Sequence, residues 1–208
     1  MAEADATRDR LLLAAADAFA RLGFDGASTR DICAAADANP AAINYHFGSK
    51  RGLYEAVLAE PLKRLRAAVA GFADPAMPIE AAVRALVHAV LQPLRDGIGG
   101  AALLRLVLQE TASNGPPAGQ AEAIAAFLAA ADALVCRAIG VAQSDRDTRI
   151  LALSIIGMGR IAVMARTMAG PAVADLARDA AAIDHLEAQL VLHARTLLDA
   201  ERRRRARA

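Results

Sequence analysis

Aromatic residues are scarce in this sequence. They make up 3% of its 208 residues, tryptophan is absent, and no run of alternating apolar and polar residues is long enough to suggest a sheet. A heavy load of alanine favours helix, so an all-α fold is expected. Cysteine is equally sparse: Cys33 and Cys136 stand far apart without metal-type spacing, which argues against a disulfide framework and a zinc site and fits a reduced, cytoplasmic setting. The longest uncharged apolar stretches, Ala123–Ala131 and Ile150–Gly159, fall short of the roughly 18 to 20 residues that cross a bilayer, so no membrane span is expected. Leu11–Ala16 behind Arg8 and Arg10 has the outline of a secretory leader, but Glu3, Asp5 and Asp9 precede it and Asp17 cuts it short. There is no glycine-rich phosphate loop, no G-x-S-x-G elbow, no cysteine–histidine placement and no framed pair of carboxylates. An enzyme has little to work with here, and no cofactor is expected. His88, His185 and His193 offer no pair at the spacing of a helical metal site.

What is present is 56% hydrophobic residues, enough for a substantial core. Apolar positions at Leu12, Ala15, Ala16, Phe19 and Leu22 give a first helix over Thr7–Leu22, with Gly23 as its stop. A fourth helix runs from Lys50 to Gly71, capped by Ser49, and Pro75 and Pro78 end it. Ile79–Arg95, Ala101–Ser113, Ala118–Ile139, Asp145–Met168 and Ala172–Arg203 follow, separated by breaks such as Asn114–Pro117 and Gly170-Pro171. The expected total is about nine helices. The Arg202–Arg205 run with Arg207 is expected as a solvated, frayed tail.

Between the first and fourth helices lies Thr29–Lys50, which reads as two short helices joined by a tight turn. Ser28 caps the first, with Asp31 answering it in a capping box and Ile32 packing beneath. The turn falls at Asp37, a residue able to take a left-handed backbone at some cost. Asn39 as cap and Pro40 as first residue start the second helix. There Ile43 and Phe47 share a packing face, while Pro40, Ala41, Asn44 and Tyr45 lie on the other. That free face is small enough to lie in a DNA major groove about 12 Å wide, and Asn44 can pair a donor and an acceptor with a base edge. Phe19, Phe24, Ile32, Ile43, Phe47 and Leu53 form one small core. Over residues 1–52 six basic residues face seven acidic ones, so bulk charge cannot drive binding, and only a moderate salt slope is expected.

Phe19, Gly23-Phe24, Thr29-Arg30-Asp31-Ile32, Asn44-Tyr45-His46-Phe47-Gly48-Ser49-Lys50 and Leu53-Tyr54, in this register, resemble the TetR/AcrR family of transcriptional regulators. The wording of Asn44–Lys50 also resembles a CerR-like subgroup. The resemblance covers Thr7–Leu58 and departs at Asp37, where the family usually has glycine, and at Cys33, where alanine is usual. It implies an N-terminal helix-turn-helix domain over 1–52, a connecting helix over about 50–71, and a ligand-binding and dimerisation domain over 53–208. It also implies phosphate contacts from Thr29, Tyr45, His46 and Lys50, and base contacts from Arg30, Pro40, Ala41 and Asn44. Tyr45 and His46 can equally be packing residues at the helix end.

The resemblance further implies a homodimer on an operator in double-stranded DNA, a small-molecule effector, and dimerisation through the last two helices. The penultimate helix is apolar around more of its surface than one core needs. Ile155, Ile156 and Met158 on it, with Leu186, Leu190 and Leu197 on the final helix, are the expected interface. His88, Arg105 and Gln109 are candidate polar contacts for an effector held among the helices of Leu53–Ile139, with Glu110 as a further lining residue. A helical small-molecule-binding or scaffold protein without DNA affinity is the alternative.

Overall fold

The computed structural model describes residues 2–95, 106–107, 109–113, 115, 119–168 and 175–207, and its regular elements are helices throughout. They are α1 (Ala2–Gly26), α2 (Thr29–Ala35), α3 (Ala42–Phe47), α4 (Lys50–Phe72), α5 (Ile79–Arg95), α6 (residues 106–107 and 109–113), α7 (Gln120–Ile139), α8 (Arg146–Met168) and α9 (Ala180–Arg205). The all-α class and about nine helices therefore stand as expected. The Pro116-Pro117 and Gly170-Pro171 breaks lie outside the described residues. The chain forms two compact units, Met1–Lys63 with Asp96–Gly119, and Arg64–Arg95 with Gln120–Ala208.

In the first unit Leu11, Ala15, Phe19, Ile32, Ile43, Leu53 and Val57 are buried together, with Phe24 and Phe47 half-buried against them. The expected core is thus present, and α6 adds Leu106 and Val107 to it. Gly23 takes φ 70°, the left-handed backbone that ends the first straight run of α1. Ser28 Oγ accepts from the Asp31 N–H at 3.5 Å and caps α2. Asp37, at φ 46°, is the single non-glycine residue with positive φ among those described. The expected left-handed turn is there. The following helix begins later than Pro40. Asn39 Oδ1 accepts from the Ala41 N–H at 2.8 Å, which closes a turn over Asn39–Ala41 and makes Ala41 the residue before α3.

The second unit packs α5, α7, α8 and α9 around Leu86, Val90, Phe127, Ala131, Leu134, Ile155, Ala194 and Leu198. Phe72, at the end of α4, meets the Phe127 ring edge-on at 5.3 Å. At Gly159 a Cβ would stand 2.7 Å from Val90 Cγ1, so this approach of α8 to α5 needs glycine. Asp179 Oδ1 accepts from the Ala182 N–H at 2.8 Å, and this cap starts α9 at Ala180 rather than at Ala172. Within α8, Arg146–Ala165 has a mean hydropathy of 1.5 and meets the length and composition of a bilayer span. That window admits charged residues, which the uncharged run Ile150–Gly159 leaves out, and one such helix is also what the core of a helical protein supplies. One face of that helix is buried in its own unit and the other is apolar and exposed, which is also the make-up of a packing face awaiting a partner.

The arginine-rich end of α9 is not a frayed tail. Arg204 Nη2 binds Glu201 at 2.7 Å and Asp147 at 2.6 Å, while Arg205 binds Glu201 at 2.6 Å and Asp145 at 2.8 Å. The end of α9 is thereby clamped to the start of α8, where Asp145 Oδ1 also accepts from the Thr148 N–H at 2.9 Å. Arg205 first, then the Thr148 amide, lowers the Asp145 pKa to about 2. Arg204 and then Arg205 lower that of Glu201 to about 2. A carboxylate whose folded pKa lies below its ordinary value stabilises the fold above that ordinary value and loses the contribution as pH falls through the folded one. Thermal midpoints are therefore expected to drop between about pH 4.5 and 2. Glu201→Gln should flatten part of that drop, and circular-dichroism melts across the range check it.

Candidate nucleic-acid interface

The α2–turn–α3 segment is held from behind by three contacts. Arg10 Nε donates to the Ala36 carbonyl at 2.9 Å, tying α1 to the turn. Cys33 is buried against the Pro40 carbonyl at 4.0 Å, and burial pushes its thiol pKa up. Ile43 carries the inward face of α3. Ser49 Oγ accepts from the Gly52 N–H at 3.0 Å, so α4 starts at Lys50 as the cap predicts.

This frame leaves Thr29 and Arg30 exposed at the start of α2, Pro40 and Ala41 exposed in the turn, and Asn44 and Tyr45 exposed on α3. Tyr45 is 81% accessible, which removes it from the core. His46 is half-buried, its ring 4.8 Å from that of Tyr45 and 6.1 Å from that of Phe47. Lys50 is half-buried as well. Its Nζ lies 4.6 Å from the centre of the Phe24 ring and donates to the Asp25 carbonyl at 3.4 Å. The eight residues singled out in the sequence therefore fall in one short segment, with Lys50 already steered by an aromatic face.

Sequence reasoning missed what lies beneath that face. The Tyr54 ring meets Phe19 edge-on at 5.0 Å and Phe24 at 5.1 Å, and Arg51 adds a second cation 5.4 Å from the Phe24 centre. The Tyr54 hydroxyl donates to Glu110 Oε2 of α6 at 2.5 Å. Burial, then this carboxylate, pushes the Tyr54 pKa up to about 12. Glu110, expected along an effector pocket, thus contacts the core beneath α3 and α4. The Leu53-Tyr54 pair was part of the family wording, but nothing local marked its partner.

The remaining site residues are dispersed. Arg105 lies outside the described residues, and Gln109 is exposed on α6 in the first unit. His88 lines a cavity of about 510 Å³ between α5 and α9, together with Arg84, Glu187, Val191 and Arg195. His88 Nδ1 stands 3.0 Å from Glu187 Oε2, which also accepts from Arg95 at 2.7 Å. On α8 and α9, Ile155, Ile156 and Leu190 are buried in their own unit, and Met158 and Leu186 are half-buried. Of the six expected interface residues only Leu197 is exposed, because the core side of these helices takes the others. The uncovered apolar residues are Ile150, Leu153, Ile161 and Met164 on α8, with Leu192 and Leu197 on α9.

Residues 11–57 match the family described as bacterial regulatory proteins, tetR family. Residues 79–201 match the C-terminal domain of the HTH-type transcriptional dual regulator CecR. The HTH-type transcriptional regulator UidR of Escherichia coli K12 is 31% identical over 112 residues, 54% of this chain and 55% of that protein. The HTH-type transcriptional repressor NicS of Pseudomonas putida is 43% identical over 56 residues, 27% of this chain and 26% of that one. The matched stretch thus spans about half the length of UidR and a quarter of that of NicS. Among solved structures, Salmonella enterica GusR aligns with a TM-score of 0.57 at 26% identity, over 93% of this chain and 95% of that one.

Proposed function

Because the chain belongs to the TetR family of bacterial transcriptional regulators, we propose that it is a cytoplasmic, ligand-responsive repressor that binds an inverted-repeat operator as a homodimer. The exposed row from Thr29 to Lys50 on a buried frame carries this reading. In it Thr29, Tyr45, His46 and Lys50 meet phosphates, and Arg30, Pro40, Ala41 and Asn44 face bases. DNA recognition belongs to residues 1–52, and effector binding and dimerisation to 53–208. NicS is named a repressor and CecR a dual regulator, so the sign of regulation is the finer part of the proposal. Retardation of the DNA upstream of its own gene tests the reading, and a chain that binds no such DNA is the helical scaffold alternative.

The dimer forms through the exposed stripe rather than through the buried residues. Ile150, Leu153, Ile161 and Met164 follow three-four spacing along one face of α8, and Gly157 between them leaves open space for a close partner. Leu192 and Leu197 join that two-fold pairing, and the operator's half-sites lie about 34 to 36 Å apart, or a multiple, so that both copies of α3 meet one face of DNA. Ile161→Glu places a charge in that face. It should give a monomer by light scattering at micromolar concentration and abolish operator binding, whereas an Ile161→Glu dimer with full affinity removes the proposed interface.

An effector releases the operator only if it prefers the non-binding arrangement, and a coupling of about 1 to 3 kcal/mol changes affinity roughly 5- to 150-fold. His88, which lines the α5–α9 cavity, is the first of the proposed polar contacts, and Arg105 and Gln109 are the other two candidates.

A further inference from the structure

Residues 96–119 belong to two things at once. By sequence they fall inside the stretch matched to the CecR C-terminal domain, residues 79–201. By packing, the described α6 residues among them, 106–107 and 109–113, belong to the compact unit that holds the helix-turn-helix. Leu106 and Val107 of α6 are 3% and 6% exposed within the same cluster as Phe19, Ile43 and Leu53. Beside them, Glu110 accepts the Tyr54 hydroxyl proton at 2.5 Å, the short distance of a hydrogen bond to a charged acceptor. The Tyr54 ring, fixed at one end by that bond, lies against Phe24 at 5.1 Å. Phe24 in turn presents the ring over which Lys50 Nζ sits at 4.6 Å.

We propose that Tyr54 and Glu110 are positioning residues for DNA binding. Through the Phe24 ring they fix where the Lys50 ammonium stands, so that α6 controls one phosphate contact. The proposal rests on the DNA-binding reading and adds to it a named route from the C-terminal domain's own sequence to that contact. Two properties favour this route over simple packing. The hydroxyl bond is directional and fixes the far end of the ring relative to α6, which an apolar contact would hold less strictly. A cation over a ring face is held loosely, by about 0.5 to 1 kcal/mol at an exposed site, so a small shift of the ring redirects it.

The test is a double-mutant cycle on the full-length protein, with a duplex selected from random DNA by the wild-type chain. Tyr54→Phe should lower affinity three- to tenfold and reduce the slope of log K against log salt. In a Lys50→Ala background the same change should alter affinity less than twofold, because the contact it positions is already gone. Glu110→Gln keeps an acceptor for the hydroxyl and should stay within threefold of wild type, while Glu110→Ala should match Tyr54→Phe. A purely structural role would lower the melting temperature of Tyr54→Phe and act equally in both backgrounds with an unchanged salt slope, and that result overturns the proposal. If the wild-type chain selects no duplex, the DNA-binding reading falls and this one with it. If wild type binds and the cycle is additive, only the Tyr54–Glu110 route is lost.

Discussion

Phe19→Ala is expected to cost about 3 to 5 kcal/mol, the range for deleting a fully buried phenylalanine. Phe19 has no accessible surface and is flanked by Phe24 at 6.1 Å and Tyr54 at 5.0 Å. Its removal leaves a void at the centre of the cluster that joins α1, α2, α3 and α4. Set against a total of roughly 5 to 15 kcal/mol for a domain, such a loss is enough to unfold the first unit near physiological temperature. The second unit has its own core around Phe72, Phe127 and Leu134 and should keep its helices. Calorimetry should then show a low-temperature transition split from a higher one, with DNA binding lost at the lower. A single transition at the wild-type temperature would mean that Phe19 does not hold the unit together.

Asn44→Ala and Lys50→Ala should weaken DNA binding in different ways. Asn44 is exposed on α3, where its amide can give and accept one bond with the same base, so its loss should relax preference at one operator position by about 1 to 3 kcal/mol. Lys50 stands at the first turn of α4 and is the proposed phosphate contact, which would carry no sequence information. Lys50→Ala should weaken specific and non-specific duplexes alike and lower the salt slope by about one. Fluorescence anisotropy on an operator, on the same operator with single base changes, and on unrelated DNA at several salt concentrations separates the two. Equal losses on all duplexes for both variants would show that the division between phosphate and base roles is mistaken.

The helix-turn-helix was legible because its signals are local. Ser28, Asp37 and Ser49 act on backbone groups within three residues, and each appears where its chemistry predicts. The start of α3 was misplaced by a competing local bond, since Asn39 closes a turn onto Ala41 instead of capping from Pro40 onward. Longer-range pairings could not be read in advance. Tyr54 and Glu110 are 56 residues apart, and no periodicity joins them. The residues named for an interface lie mostly inward for another reason. α8 is apolar on both sides, so hydrophobicity alone does not say which side faces its own core, and Ile155 and Ile161 look equivalent until α5 and α7 are in place. The tail was misjudged because a run of arginines carries no mark of the acids it will meet. Asp145 and Asp147 lie far upstream, and Arg204 and Arg205 find them only once α9 runs back along the unit.

That clamp bears on how two copies would meet in the proposed dimer. A helix pair that frays at one end must be ordered when a partner arrives, and association then carries the entropy of ordering it. Here Glu201, Arg204 and Arg205 fasten the end of α9 to Asp145 and Asp147 at the start of α8. The exposed Ile150 and Leu153 lie within the first turns of that same α8. The helix that carries them is thus held at its start in the single chain, so less of that ordering is left for a proposed second copy to impose. These five charges can therefore tune the proposed dimer without touching the partner, and concentrated salt, by screening them, would loosen it through its subunits rather than across its interface.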